Sequence, residues 1–182
     1  MPIILQHYPE TKVYVAGNDF INVSFYRRNG FARYLIYLMN KNQILKDHIN
    51  FLGPLNETQM LEQFVFSHIF LCPSIIENSP NSLGEAQLVG TPCVASYAGG
   101  TMEMISDGDT GLLYRFEEIA LLAKQICRIF ENEEIANSLS EKAHKVAFSR
   151  HHRMNNAIQL NTIYKQIVNE GIFDIQGNSK IN

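Results

Sequence analysis

The stretch Pro73-Ser74-Ile75-Ile76-Glu77-Asn78-Ser79-Pro80-Asn81-Ser82-Leu83-Gly84-Glu85-Ala86 joins two different patterns. Ahead of it, His68-Ile69-Phe70-Leu71-Cys72 is a short apolar run stopped by proline, which reads as a buried strand. Behind it, residues 81–89 read as a short helix ended by Gly90. The stretch is therefore a loop from the end of a strand to the start of a helix. Asn78, Ser79, Asn81 and Ser82 are good N-cap types, and Pro80 suits a first helical turn. A helix N-terminus with free N–H groups and a favourable dipole is a natural phosphate site. Glu77 precedes the helix and Glu85 lies one turn into it, with seven residues between them. A loop carboxylate and a helical carboxylate at this spacing can flank one ligand from two sides. Ser82-Leu83-Gly84-Glu85 also fits a capping box, in which Glu85 serves only the helix start. Both readings stand on the residues alone.

Working outward, the same alternation repeats. Lys12-Val13-Tyr14-Val15-Ala16, closed by Gly17-Asn18, is a strand, and residues 3–8 before it are helical turns broken at Pro9. Residues 30–45 predict one helix with Phe31, Tyr34, Leu35, Leu38 and Met39 on its apolar face. Ile49-Asn50-Phe51-Leu52 is a strand ending at Gly53-Pro54, and residues 57–66 are a helix with Met60, Leu61, Phe64 and Val65 inward. Downstream come the strand Pro92-Cys93-Val94-Ala95-Ser96, the pair Gly99-Gly100, a helical turn at 101–105 and a strand Gly111-Leu112-Leu113-Tyr114. Three helices follow. Their stripes are Ile119, Leu122, Ala123, Ile126 and Phe130; Ile135, Leu139, Ala143 and Val146; and Met154, Ala157, Ile158, Tyr164, Ile167 and Val168. Residues 171–182 have no period and read as a flexible tail beyond a domain spanning 1–170. Strands alternating with helices predict an α/β fold: a Rossmann-like parallel sheet with helices on both faces, then C-terminal helices. Ligands of such sheets bind outside the carboxyl ends of the strands.

Composition narrows the function. The 182 residues carry 15 Lys and Arg against 18 Asp and Glu, a net charge of −3, which gives no electrostatic footprint for nucleic acid. Hydrophobic residues are 46% and charged ones 18%, enough to build a core. No apolar run approaches the roughly 20 residues of a bilayer span, and the N-terminus lacks the pattern of a signal peptide. Cys72, Cys93 and Cys127 are scattered, so structural thiols in a reduced, cytoplasmic protein are the expectation. Asp107-Gly108-Asp109 has the spacing of a DxD metal motif but the composition of a turn. His151-His152 lacks acidic or cysteine companions at metal spacing and reads as surface. Gly99-Gly100 either allows close backbone approach at a cleft or makes a simple turn.

The 73–86 stretch, then Gly90-Thr91-Pro92-Cys93-Val94-Ala95-Ser96, Gly99-Gly100-Thr101-Met102-Glu103 and Asp107-Gly108-Asp109-Thr110-Gly111-Leu112-Leu113, resembles the donor half of family 4 retaining glycosyltransferases. Tyr14-Val15-Ala16-Gly17 and Phe51-Leu52-Gly53-Pro54-Leu55 resemble the second and third strands of that half. The resemblance implies a GT-B architecture, two Rossmann-like domains with a cleft between them, of which this chain is similar to the C-terminal, nucleotide-sugar-binding one. It implies that Glu77 is the catalytic-site carboxylate on the hydroxyls of the transferred sugar and that Glu85 holds the ribose. It implies that the backbone of Asn78, Ser79, Pro80, Asn81, Ser82 and Leu83, with the Ser82 hydroxyl, holds sugar hydroxyls and the distal phosphate. Gly53, Pro54 and Leu55 would lie against the base, and Gly99 and Gly100 would line the cleft. No metal or other cofactor is implied; the nucleotide sugar, UDP- or GDP-linked, is the co-substrate.

One departure stands out. The family places an Arg and a Lys before its first matched strand, and the chain begins beyond that segment. Arg27, Arg28 and Arg33 do not match those positions and read as solvated helix-face residues. The expectation is a donor domain lacking its first strand and its acceptor-binding partner domain. Its product would be a cell-surface polysaccharide or glycolipid, made at the inner face of the membrane through contacts of the missing half. A two-chain enzyme, with the last helix at the subunit contact, and a non-catalytic interaction module are the alternatives.

Overall fold

The computed structural model describes residues 1–18, 26 and 28–170. Their elements run α1 (Pro2–His7), β1 (Val13–Ala16), α2 (Gly30–Lys41), α3 (Gln43–His48), β2 (Ile49–Gly53), α4 (Glu57–Phe66) and β3 (Phe70–Cys72). They continue α5 (Asn81–Val89), β4 (Cys93–Ser96), α6 (Thr101–Met104), β5 (Leu112–Tyr114), α7 (Ile119–Glu131), α8 (Glu133–Arg150) and α9 (Arg153–Glu170). All strand pairs are parallel. The segment expected to be a flexible tail lies outside the described residues, as does Arg27.

The single expected sheet is instead two: β1 pairs with β2, and β3-β4-β5 form a three-stranded sheet.

The larger sheet is covered on both faces, and the period of two explains how. Val94, Leu112 and Tyr114 point into a core with Ile4, Ala123, Ile126, Ile129 and Leu139 from α1, α7 and α8. Their neighbours Cys93, Ala95 and Leu113 point the other way, onto Phe64, Leu83, Ala86 and Met104 from α4, α5 and α6. Phe64 and Phe70 close this second core edge-to-face, with ring centroids 5.5 Å apart. Cys72, Cys93 and Cys127 are all free and buried, and burial pushes the Cys93 and Cys127 thiols up from their ordinary value.

Several apolar stripes are placed differently from the expectation. The helix expected over 30–45 is two helices. Asn42 takes an extended conformation and donates its N–H to Leu38 O and Met39 O, closing α2 before α3 begins. On α2, Phe31 and Tyr34 are exposed and Ala32 is the buried residue. On α4, Leu61 and Val65 are exposed while Phe64 is buried. Ile119 and Val146 are exposed, Ala147 taking the inward place on α8. Met154, Ile158, Tyr164 and Val168 of α9 are exposed, so most of the stripe read as core on that helix meets no core among the described residues.

Candidate functional site

The loop after β3 is held by a relay of hydroxyls. Ser96, at the end of β4 and fully buried, donates to the Ser74 carbonyl. The Ser74 hydroxyl donates to Glu77 Oε2 at 3.2 Å. The carboxylate of half-buried Glu77 is thereby oriented from a rigid strand end through one intermediate residue.

Beneath it, the glycine pair explains itself. A Cβ on Gly99 would stand 1.8 Å from Glu77 O, and one on Gly100 would stand 1.5 Å from Asn78 O. Gly99 has φ +47°, but Gly100 has φ −70°, so at Gly100 the requirement is space alone. The Gly100 N–H donates to Glu77 O at 3.1 Å. The close backbone approach expected at this pair is to the Glu77–Asn78 backbone. Thr101 locks the turn: its hydroxyl accepts from Ala98 N at 3.2 Å and lies 2.7 Å from Ser96 O.

The start of α5 differs from both sequence readings in one respect. Buried Pro80 is the N-cap, and no side chain caps the turn, so Asn78, Ser79, Asn81 and Ser82 leave the helix N–H groups uncovered by side chains. The capping box over 82–85 is not formed, and Glu85 is an exposed residue beyond the first turn. Glu85 is thus free of the structural duty that the box would give it. Leu83 is fully buried and anchors the turn into the core.

Gly53, Pro54 and Leu55 sit at the carboxyl end of β2, in the other sheet. Gly53, at φ +70°, accepts from Gly17 N at 2.9 Å, and Asn56 then opens α4 with a full capping box to Gln59. This segment shares with the Glu77 loop only its position at the carboxyl end of a parallel strand; its bonds run to Gly17 and into α4. The structure therefore brings together Glu77, Asn78, Gly99 and Gly100, with Ser79 to Leu83 continuing into α5.

The DxD spacing is a turn. Asp107 Oδ1 accepts from Leu113 N at 2.8 Å, and Asp109 pairs with Lys142 Nζ at 2.7 Å. Both partners of that pair are about half exposed, 51% and 54%, so Asp109→Ala should change stability by less than about 1 kcal/mol in chemical denaturation. A larger loss would give that pair a role this geometry does not. Among the described residues, no three His, Cys, Asp or Glu side chains group to hold a metal ion. A depression of about 330 Å³ near His151 and His152 is lined by Leu88 and Phe148 and lies apart from Glu77.

Sequence reasoning missed the supports of the loop: Ser74, Ser96 and Thr101. A polar residue ending an otherwise apolar strand (Ser96) was the available signal.

Residues 1–146 match the family model described as glycosyl transferases group 1. N-acetyl-alpha-D-glucosaminyl L-malate synthase of Bacillus anthracis is 28% identical over 130 residues, covering 71% of this chain and 34% of that protein. HepE of Anabaena, in a crystal structure with UDP, aligns at TM-score 0.75 with 20% identity, over 91% of this chain and 44% of that one. The C-terminal domain of a glycosyl transferase group 1 family protein from Francisella tularensis aligns at TM-score 0.64 with 17% identity, over 82% of this chain and 74% of that one. The chain thus spans about a third of the length of the Bacillus anthracis relative, and its α/β architecture is that of a GT-B glycosyltransferase domain. With the family model running from the first residue through α7 and most of α8, across the Glu77 loop and the glycine pair, the chain belongs to the glycosyl transferases group 1 family.

Proposed function

We propose that this chain is the C-terminal, donor-binding half of a retaining family 4 glycosyltransferase of hexosyltransferase type, acting on a UDP- or GDP-linked sugar. The observation that carries the reading is the seat of Glu77: a carboxylate aimed by Ser74 at a strand end, over a glycine pair, beside an uncapped helix start. In this reading Glu77 holds hydroxyls of the transferred sugar near the reacting carbon. The N–H groups of Asn78, Ser79, Asn81 and Ser82 and the Ser82 hydroxyl hold sugar hydroxyls and the distal phosphate, stabilising the leaving diphosphate with fixed donors and no metal, while Pro80 has no N–H and Leu83 N–H donates to Pro80 O at 3.1 Å. Glu85, free of the helix cap, holds the ribose. Gly53, Pro54 and Leu55 lie against the base, and Gly99 and Gly100 let the loop sit low enough to form the floor of the cleft.

The rest of the enzyme is the acceptor-binding half, supplied by the same polypeptide or by a separate chain. The exposed apolar side of α9 is the feature that favours such a companion. The domain then spans residues 1–170, and the acceptor is a glycan or lipid-linked sugar of polysaccharide or glycolipid synthesis. None of the described helices is long and apolar enough to cross a membrane; in this reading contact with the inner membrane face is made through the other half.

Calorimetric titration with a panel of UDP, GDP, UDP-glucose and GDP-mannose tests the reading. One nucleotide series should bind, and Glu85→Ala should weaken its free nucleotide about tenfold, the loss of one good hydrogen-bonding partner. A folded chain that binds none of the four would remove the donor-site reading and leave a non-catalytic interaction module.

A further inference from the structure

The junction between α8 and α9 reaches the candidate site from behind. Arg150, the last residue of α8, donates from Nη1 to Gln87 Oε1 at 3.0 Å and from Nη2 to Met104 O at 3.1 Å. Gln87, 1% exposed on α5, donates from Nε2 to the same Met104 carbonyl at 2.9 Å. Met104 ends α6, a helix of 4 residues whose last carbonyls need partners from outside. The next residue, His151, lies against Gly84: a Cβ there would stand 2.9 Å from His151 Nε2 and 3.3 Å from Met104 Cε. One helix terminus therefore ties α5 to α6. The first carries Glu85 and starts where the loop ends; the second starts at the glycine pair on which the loop rests.

We propose that Arg150 is a positioning residue for this loop: through Gln87 and the Met104 carbonyl it fixes the separation of α5 and α6, and so the seat of residues 77–82 on Gly99 and Gly100. Its bearing on donor affinity rests on the function proposed above. The chemistry suits the task. A planar guanidinium spans two acceptors on two different helices, which a lysine ammonium cannot do with the same geometry. Removing it leaves the oxygen of a buried amide without its donor, in a network that is otherwise fully satisfied. Simple attachment of α8 to α5 does not need Arg150. Ser140 already donates to Gly90 O, and His144 Nδ1 lies 2.7 Å from Leu88 O, both toward the far end of α5.

The test compares Arg150→Met, Arg150→Lys and Ser140→Ala in the 182-residue chain. The first readout is amide exchange at Gly100, whose N–H bonds to Glu77 O. Arg150→Met should speed it about tenfold or more through local opening, with Arg150→Lys recovering part of the protection, and Ser140→Ala should lower Tm while leaving it within about twofold. The second readout is UDP or GDP affinity, which should fall about tenfold in Arg150→Met and hold in Ser140→Ala. Unchanged Gly100 exchange in both Arg150 variants, or an equal effect from Ser140→Ala, would overturn the proposal. Faster exchange in a chain whose parent binds no nucleotide would uphold the mechanical link and defeat the donor-site reading instead. Arg150→Lys, which keeps the charge, carries the comparison if Arg150→Met does not fold.

Discussion

Gly100→Ala should abolish the nucleotide-sugar binding proposed for this chain while leaving most of its helix content in place. The added Cβ would stand 1.5 Å from Asn78 O and 2.6 Å from Asn78 C, and both are backbone atoms that no rotamer change can move aside. The loop must lift, which breaks the Gly100 N–H bond to Glu77 O and withdraws the Ser74–Glu77 pair from its seat. Overpacking of this kind costs about 1–3 kcal/mol, and in a chain of this size each kcal/mol lowers Tm by roughly 2–4 °C. The effect on binding should exceed that on stability, because the displaced segment is the proposed site: a loss of about a hundredfold or more in affinity for the proposed nucleotide sugar, by calorimetry. Gly108→Ala is the matched comparison. It has φ +79° and nothing within 4 Å of the added atom, so it brings backbone strain without collision. It should cost about 1 kcal/mol in stability and leave binding unchanged. Wild-type affinity in Gly100→Ala would show that the loop does not hold the donor.

The parts of this fold legible in the sequence are those whose cause is local. The carboxyl end of α5 is read from Gly90, which takes φ +89° there, and the Asp107-Gly108-Asp109 turn from its composition. The strand–loop–helix order that carries Glu77 and Glu85 was legible because loop and helix lie next to each other in the chain. What was not legible depends on partners distant in sequence. Phe31, Tyr34 and the α9 stripe have helical period, but a period states only which side is apolar, not what covers it. The capping box over 82–85 is equally good in sequence, yet Pro80 begins the helix two residues earlier, because its fixed φ already suits the cap. The glycine pair read equally as a turn or a close approach until the 1.5 Å and 1.8 Å collisions gave each glycine a reason. Arg150 is 63 residues from Gln87, and no pattern in a single sequence joins them.

The two carboxylates should separate cleanly when each is made neutral. Glu85→Gln removes a charged acceptor from the proposed ribose contact, so it should weaken UDP (or GDP) and its nucleotide sugar alike, each by about tenfold. Glu77→Gln should leave the free nucleotide within about twofold, because UDP lacks the sugar that Glu77 is proposed to hold. It should lower affinity for the nucleotide sugar by about tenfold, removing the preference for sugar-bearing ligand over bare nucleotide. Ser74→Ala should do the same in smaller measure, since it frees Glu77 Oε2 from its 3.2 Å donor without removing the charge. In a glycosyltransferase assembled with its acceptor-binding half, Glu77→Gln should lower kcat by roughly 10² to 10³, the scale for losing one preorganised electrostatic contact at a reacting centre, and Glu85→Gln should act chiefly on KM. The distinction follows from place. Glu77 is oriented by a strand end and a second hydroxyl, which is what a group aligned on reacting atoms requires, whereas Glu85 stands exposed on α5, suited to grip and release. Equal effects of both variants on free nucleotide and on nucleotide sugar would assign both carboxylates to the nucleotide and leave the sugar without its proposed partner.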